Sequence, residues 1–284
     1  MAVVAGVLTI VLIGSAPAGI LARPSATSST PGHVRALAGT PSPLRPQASR
    51  SGDRTGAGPA LSWWNITGES TVAPPVDWFT EATWDATDGY LVSYGGDNFV
   101  STNLNATQTF VAGNWSTPAT GGTSPGPLDG PALAYDPLTG HVVMYGGYSD
   151  YAPFTYTNRT YTYSAGTWSG AQLNPTPPAP TAAAMAFDAD LGGTVLFGGY
   201  NNSDSTGQHL LNDLWLSKGG IWSALPDTNP PPVRTWPSLA YDPGRHELVM
   251  YGGVTASFAC LGDTWTYNGT WSRISSSGGP GGLY

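Results

Sequence analysis

The sequence predicts an all-β fold: four four-stranded blades of a β-propeller, preceded by one extra N-terminal outer strand, in a ring expected to be incomplete. Three observations carry this. First, a phrase recurs at Ala82 to Gly96, Leu133 to Gly147, Met185 to Gly199 and Leu239 to Gly253. It consists of a short apolar strand ending in an aromatic residue and Asp, a tight turn, a run of large apolar residues, and Gly-Gly. A tryptophan follows each copy, at Trp115, Trp168, Trp222 and Trp271, and the aspartates at 85, 136, 188 and 242 set the spacing at 51, 52 and 54 residues. A period near fifty built of strands and paired glycines is that of a propeller blade. Second, the segments between Gly, Pro, Asn and Asp are too short for helices and rich in aromatic and β-branched residues. Third, Val142-Val143-Met144-Tyr145 and Leu248-Val249-Met250-Tyr251 are apolar without alternation. A strand that reads this way is covered on both faces, as it is between two neighbouring blades.

The elements follow in chain order. Residues 1–22 carry no charged side chain, and Ala2 to Ile13 form an apolar run followed by small residues and Pro17. That composition fits a secretory signal peptide cut after Ala18 or Ala22, or a membrane anchor, since about 20 apolar residues span a bilayer. Residues 23–60 are Pro, Ser, Ala, Gly and Arg without apolar periodicity, the composition of a disordered linker. Leu61-Ser62-Trp63-Trp64-Asn65-Ile66 opens the propeller segment, 61–284, and matches the outer strand of the last repeat, Trp271-Ser272-Arg273-Ile274. The blades then span about 81–117, 132–171, 183–225 and 238–274. In the last, strand a is Ser238 to Asp242, b Glu247 to Tyr251, c Asp263 to Tyr267 and d Thr270 to Ile274. Matching b strands lie at His141 to Tyr145 and Thr194 to Phe197, and c strands at Arg159 to Tyr163 and Asp213 to Leu216. The first repeat departs in having Gln108 where the others carry an aromatic residue on strand c, so its blade is expected to be the loosest.

Gly146-Gly147, Gly198-Gly199 and Gly252-Gly253, together with Tyr161, Trp215 and Trp265 on strand c and the strand-d tryptophans, resemble the kelch-repeat family and the related propeller domain of galactose oxidase. The resemblance covers 61–284 and implies a kelch-type β-propeller. Because rings of that family usually have roughly six or seven blades, it also implies a partial propeller.

Charge narrows the partners. Residues 61–284 hold 17 acidic against 5 basic side chains, whereas the linker has five Arg against Asp53. An acidic propeller repels nucleic acid and anionic lipid, so neither is an expected partner, and a membrane would be touched only through an uncleaved N-terminal segment. Cys260 stands alone and no internal disulfide can form; it is either a small buried group or a site of pairing with another molecule. Asn-x-Ser/Thr occurs at Asn65, Asn105, Asn114, Asn158, Asn201 and Asn268, an excess that fits a glycosylated surface.

Asp85, Asp136, Asp188 and Asp242 would form a ring of carboxylates at one end, but each precedes a tight turn whose backbone amides its side chain can accept, so a turn role is expected and no metal. Strand order places the a to b and c to d turns on one end and the longer b to c and d to a connections on the other. Function on β scaffolds collects on such loops. The candidate binding residues on that long-loop face are Asp97, Phe99, Tyr148, Asp150, Tyr151, Tyr200, Asn202, Asp204, Phe258, Arg234 and Trp236. Exposed aromatic and polar groups of this kind suit a protein or carbohydrate ligand.

The function expected is a secreted or surface-attached binding module, with no catalytic residue, no cofactor and no metal. The alternative is a galactose oxidase-like or glycan-active enzyme whose catalytic residues lie outside this chain. Copper favours several imidazoles, whereas His33 falls in the linker, His141 and His246 fall on the short-turn end, and His209 remains alone near Cys260.

Overall fold

The computed structural model describes residues 80–97, 104–149, 155–171, 176–178, 180–201 and 209–275. The segment expected to be a signal or anchor (1–22), the expected linker (23–60) and the strand expected at Leu61 to Ile66 lie outside the described residues. Four antiparallel sheets follow one another. The first blade is β1 (Glu81–Asp85), β2 (Tyr90–Tyr94), β3 (Thr107–Val111) and β4 (Asn114–Ser116). The second contains β5 (Gly121–Gly122), β6 (Ala132–Asp136), β7 (His141–Tyr145), β10 (Thr160–Ser164) and β11 (Thr167–Ala171), with a two-stranded hairpin of β8 (Tyr148–Ser149) and β9 (Thr155–Tyr156) on its b to c connection. The third is β12 (Ala184–Asp188), β13 (Gly193–Tyr200), β14 (Leu210–Lys218) and β15 (Ile221–Ala224); the fourth is β16 (Ser238–Asp242), β17 (Glu247–Tyr251), β18 (Thr264–Tyr267) and β19 (Trp271–Ser275). Each sheet runs a, b, c, d outward, and the a strands β1, β6, β12 and β16 pack on one another in series around the axis.

Two elements were not foreseen. β5, a glycine pair in the connection from blade 1, adds in parallel to β11 as a fifth outer strand. β13 and β14 run past Gly198-Gly199 with a register shift between Phe197 and Gly199, so the third blade is the longest. A glycine pair has no propensity to announce a strand; it pairs here because the backbone passes within hydrogen-bonding distance of Trp168, whose carbonyl accepts from Thr123 at 2.8 Å.

The blades are joined by a repeated device. The strand-d tryptophan of one blade enters the preceding one: Trp168 lies on Tyr94 (5.0 Å between ring centroids), Trp222 on Tyr145 (4.7 Å) and Trp271 on Phe197 (5.0 Å). All three are buried, at 1%, 1% and 2% exposure. The indole N–H of Trp168 donates to Thr107 Oγ1 and that of Trp222 to Thr160 Oγ1, both at 2.8 Å. The Gly-Gly pairs make the approach possible. Their φ values lie between 68° and 105°, and the second glycine donates its N–H across the joint, Gly96 to Leu128, Gly147 to Pro180 and Gly199 to Arg234. A Cβ on Gly95, Gly146 or Gly198 would collide with the carbonyl of Leu128, Pro180 or Arg234.

The strand-end aspartates serve their turns. Asp85 Oδ1 accepts from Thr87 and Asp88, Asp136 Oδ1 from Leu138, Asp188 Oδ1 from Asp190 and Leu191, and Asp242 Oδ1 from Gly244. Burial pushes the carboxyls of Asp85 and Asp188 above the ordinary range, against the opposing pull of those amides.

The arc is open. No packing like that between successive a strands joins β16 to β1 among the described residues. β6 and β12 are buried almost throughout, whereas β1 and β16 are mostly half-buried. β7 and β13 are covered on both faces as expected, but β17 alternates: Leu248 and Met250 are buried against the third blade, and Val249 and Tyr251 on the other face are half-buried. The first blade is uneven: Gln108 is buried while Trp84 is 50% exposed.

Candidate functional site

The long-loop face carries two aromatic groupings. The first sits between blades 2 and 3. The hairpin β8–β9 folds over the face because Tyr148 exchanges backbone hydrogen bonds with Asp129 at 2.8 and 2.9 Å. Tyr148 thereby stacks on Tyr156 (4.9 Å), Tyr156 meets Tyr200 (6.1 Å), and Tyr200 meets His209 (5.5 Å). Burial, then the neighbouring phenols and the Asp129 carboxylate, push the Tyr156 hydroxyl up to about 12, so it stays a neutral donor at physiological pH. His209 Nδ1 is buried with no hydrogen-bond partner among the described residues.

The second grouping is on blade 4. Each d to a connection crosses the axis end of the face through a residue in the left-handed region: Gly130 (φ 57°), Ala182 (φ 55°) and Trp236 (φ 50°). These positions are equivalent, because Asp129, Thr181 and Thr235 just before them bridge to Tyr148, Tyr200 and Val254. Ala182 donates its N–H to Gly130 and Trp236 donates its N–H to Ala182, each at 2.8 Å, so the three loops are sewn together around the axis. Glycine suits this conformation and tryptophan does not; a bulky residue held there costs on the order of 1 kcal/mol. Trp236 is nevertheless 37% exposed.

Phe258 repeats the anomaly. It lies at the tip of a turn in which Phe258 N–H donates to the Thr255 carbonyl, Thr255 N–H donates to the Ala259 carbonyl and Ala259 N–H donates to Thr255 Oγ1. Its φ is 58°, and its ring is 80% exposed. Backbone bridges from Thr235 to Val254 and from Val254 to Cys260 place the Trp236 and Phe258 loops side by side. Two large rings are therefore turned toward solvent on adjoining loops, each on a backbone that would relax with glycine.

Of the candidate residues, Tyr148 and Tyr200 join one grouping and Trp236 and Phe258 the other, while Asp97 is half-buried directly after Gly96. Phe99, Asp150, Tyr151, Asn202 and Asp204 lie outside the described residues. Arg234 is a correction: it is fully buried and holds the joint between blades 3 and 4. Its guanidinium donates in a fork to Asp263, at 2.7 Å to Oδ1 and 3.1 Å to Oδ2, and also to the carbonyls of Gly252 and Pro232. Burial alone would raise the Asp263 carboxyl, but hydrogen bonds from Arg234 and Trp265 and the Arg234 charge hold it below the ordinary range. An arginine in a long loop reads as a surface group until its buried carboxylate is known.

Tyr156 and His209 complete the first grouping and were not among the candidates; the hairpin that brings Tyr156 in has only two-residue strands. Cys260 is half-buried. Among the acceptor asparagines, Asn105, Asn114 and Asn268 are exposed and Asn158 half-buried, whereas Asn201 is buried at 7% exposure, out of reach of a glycan in the folded state. No group of three His, Cys, Asp or Glu able to hold a metal ion occurs among the described residues.

Comparison with known proteins agrees with this architecture. The family model described as the KLHDC2/KLHL20/DRC7 Kelch-repeats domain matches residues 81–281. No match is found among the curated proteins. Kelch-repeat domains are typically protein-interaction modules rather than catalysts. With most of the chain matched, four blades in series and a glycine pair and tryptophan in each, this protein belongs to the kelch-repeat family.

Proposed function

We propose that this protein is a secreted or surface-attached, non-catalytic module that binds a partner protein through its long-loop face, with Trp236 and Phe258 as the anchoring side chains. The observation that carries the reading is that both rings are solvent-facing on backbone conformations unsuited to them. A strained backbone is retained where the group it presents does something, and Phe258 at 80% exposure recovers little of that strain through burial. Exposed aromatic residues are also the side chains that dominate interface energetics. The Tyr148, Tyr156 and Tyr200 grouping beside them supplies phenol hydroxyls and a broad aromatic surface. Export is supported by the charge-free apolar stretch of residues 1–22. The acidic balance of 61–284 favours a basic or neutral epitope.

The test is capture of ligands from extracellular fluid and cell surfaces by the full chain, read beside Trp236→Gly and Phe258→Ser. Loss of a specific protein ligand in both variants, with the melting midpoint retained, supports the reading. Binding to a glycan array lost in the same variants reassigns the ligand to carbohydrate. Undiminished capture in both variants rejects this site.

A further inference from the structure

Five of the six acceptor asparagines fall among the described residues, and the fold divides them between its two ends. Asn105, Asn158 and Asn201 lie in b to c connections, on the long-loop face. Asn105 and Asn158 each stand two residues before a strand-c threonine whose hydroxyl accepts a joint tryptophan, Thr107 from Trp168 and Thr160 from Trp222. Asn105 is itself engaged there: its Oδ1 accepts the Tyr94 hydroxyl at 2.7 Å and the Ser124 hydroxyl at 2.9 Å. Asn212 holds the same place before Leu214 and donates to the Pro231 carbonyl at 3.0 Å, although no triplet exists there. The Asn-x-Thr pattern at 105 and 158 is therefore written by the packing of strand c. Asn201 follows the third glycine pair and is 7% exposed.

The other two lie at c to d hairpins, on the short-turn end. In blade 4 the triplet is the hairpin loop: Asn268, Gly269 and Thr270 link Tyr267 to its partner Trp271, and all three are exposed. In blade 1, Asn114 and Ser116 are exposed at the two ends of β4. Asn114 Nδ2 donates to the Ala112 carbonyl at a long 3.4 Å, in an exposed contact, and a sugar takes one of its two N–H groups and leaves the other. Asn114 pairs across the hairpin with Val111, an apolar side chain that is 48% exposed. A Cβ built on the tip glycines, Gly113 and Gly269, meets nothing within 4 Å, so both tips have room for a bulky group. A glycan is large and hydrophilic, so it suits an amide that faces water and not one built into the packing.

We propose that Asn268 and Asn114 carry N-linked glycans and that the acceptor asparagines of the long-loop face do not. The donor is a lipid-linked oligosaccharide. The Asn Nδ2 forms a bond to the anomeric carbon of the first sugar, the bond from that carbon to the lipid phosphate oxygen breaks, and the amide gives up one proton as the lipid phosphate leaves. The assignment rests on the export part of the proposed function and adds an orientation to it. Hydrophilic chains sheathe the end opposite the binding loops, the one on Asn114 shields Val111, and Trp236 and Phe258 stay clear.

The experiment is expression of the full chain in a secretory host that performs N-glycosylation, with its own N-terminus and, in parallel, behind a leader known to direct export. The secreted protein is treated with an amidase that releases N-glycans and leaves Asp at each modified position, and its peptides are mapped by mass. Conversion is expected at 114 and 268 alone. Asn268→Gln should remove one glycan and Asn114→Gln the other, with the melting midpoint retained. Secreted protein that is unmodified at both positions overturns the proposal, and so does conversion at Asn105, Asn158 or Asn201. Secretion and modification at 114 and 268 only behind the supplied leader reject the export reading and uphold the assignment of the two acceptors, so the two failures are told apart.

Discussion

The joint between blades 2 and 3 and the joint between blades 3 and 4 follow one plan and are stapled differently. In the first, the Trp222 indole donates to Thr160 inside an apolar cluster of Ala134, Tyr145, Met185 and Leu196. In the second, Leu214 holds the position of Thr160, and among the described residues Trp271 Nε1 makes no close hydrogen bond, only a weaker one toward the Asp227 carboxylate. That joint instead contains Arg234 and Asp263, a forked ion pair out of solvent. Packing shape is the repeated property, and polar stapling is local. A joint tolerates losing its hydroxyl while the tryptophan still fills the space, because indole burial far outweighs one neutral hydrogen bond.

The sharpest way to break the comparison is Arg234→Met. It leaves the buried Asp263 carboxylate with only the more distant Arg273 guanidinium, at 3.9 Å, and removing the close partner of such a pair costs about 3–5 kcal/mol. Chemical denaturation at neutral pH should show that loss, and Arg234→Met with Asp263→Leu should recover most of it, whereas a pair needed only for charge attraction would not be rescued. The sign with pH follows from the depressed Asp263 carboxyl: the pair stabilises above the ordinary carboxylate range and is lost as pH falls through the lower folded value. The deficit of Arg234→Met should therefore shrink in acid.

Glu81 extends the comparison to the first blade, where it takes the place of Ala132 and Ala184 on the inner strand. Burial pushes its carboxyl from 4.5 up to about 7, although some of its surface is still exposed. The folded state then holds its proton more tightly than the unfolded chain, so stability falls as pH rises from about 4.5 through about 7. Glu81→Gln should flatten that slope and gain on the order of 2 kcal/mol at mildly alkaline pH, read from denaturation midpoints across the window. An unchanged slope would place the carboxyl in water.

A smaller difference separates the two tryptophans. Trp222→Phe loses a close hydrogen bond and strands the Thr160 hydroxyl, whereas Trp271→Phe removes an N–H that among the described residues makes only a weak hydrogen bond, toward Asp227. With similar loss of ring volume, Trp222→Phe should be the more destabilising by about 1 kcal/mol in parallel melts. Equal costs would mean the hydroxyl contributes nothing. The smallest effect concerns Trp236→Gly. Relief of the left-handed backbone offsets the lost ring contacts, so the melting midpoint should move little, within about 1 kcal/mol of the wild type, while ligand capture fails.

Much of this molecule was legible in one dimension. The template strands Ser238 to Asp242 and Glu247 to Tyr251 coincide with β16 and β17, and His141 to Tyr145 with β7, because aspartate turns and glycine pairs punctuate the chain where the backbone must reverse or be approached. Trp236 and Phe258 were readable as loop aromatics for a related reason, since they do not repeat and so are not demanded by the joints, whereas Tyr148 and Tyr200, which follow two glycine pairs at equivalent positions, were readable from their place in the long loops. Arg234 was misread as exposed, and Tyr156 was missed, because burial against Asp263 and delivery by a two-residue hairpin arise from contacts made between segments far apart in the chain.

Repetition by itself determined that there are blades, how many are recognisable and which residues form their joints, since a period-fifty pattern of turn residues and unbroken apolar strands has few other ways to bury both faces. Tertiary structure decided which joints carry an ion pair, which loop rings face solvent in strained backbone, and that the flank of β17 is left half-covered. Those properties depend on what stands opposite a residue in space, and a linear pattern specifies a side chain's own preference but not its neighbour.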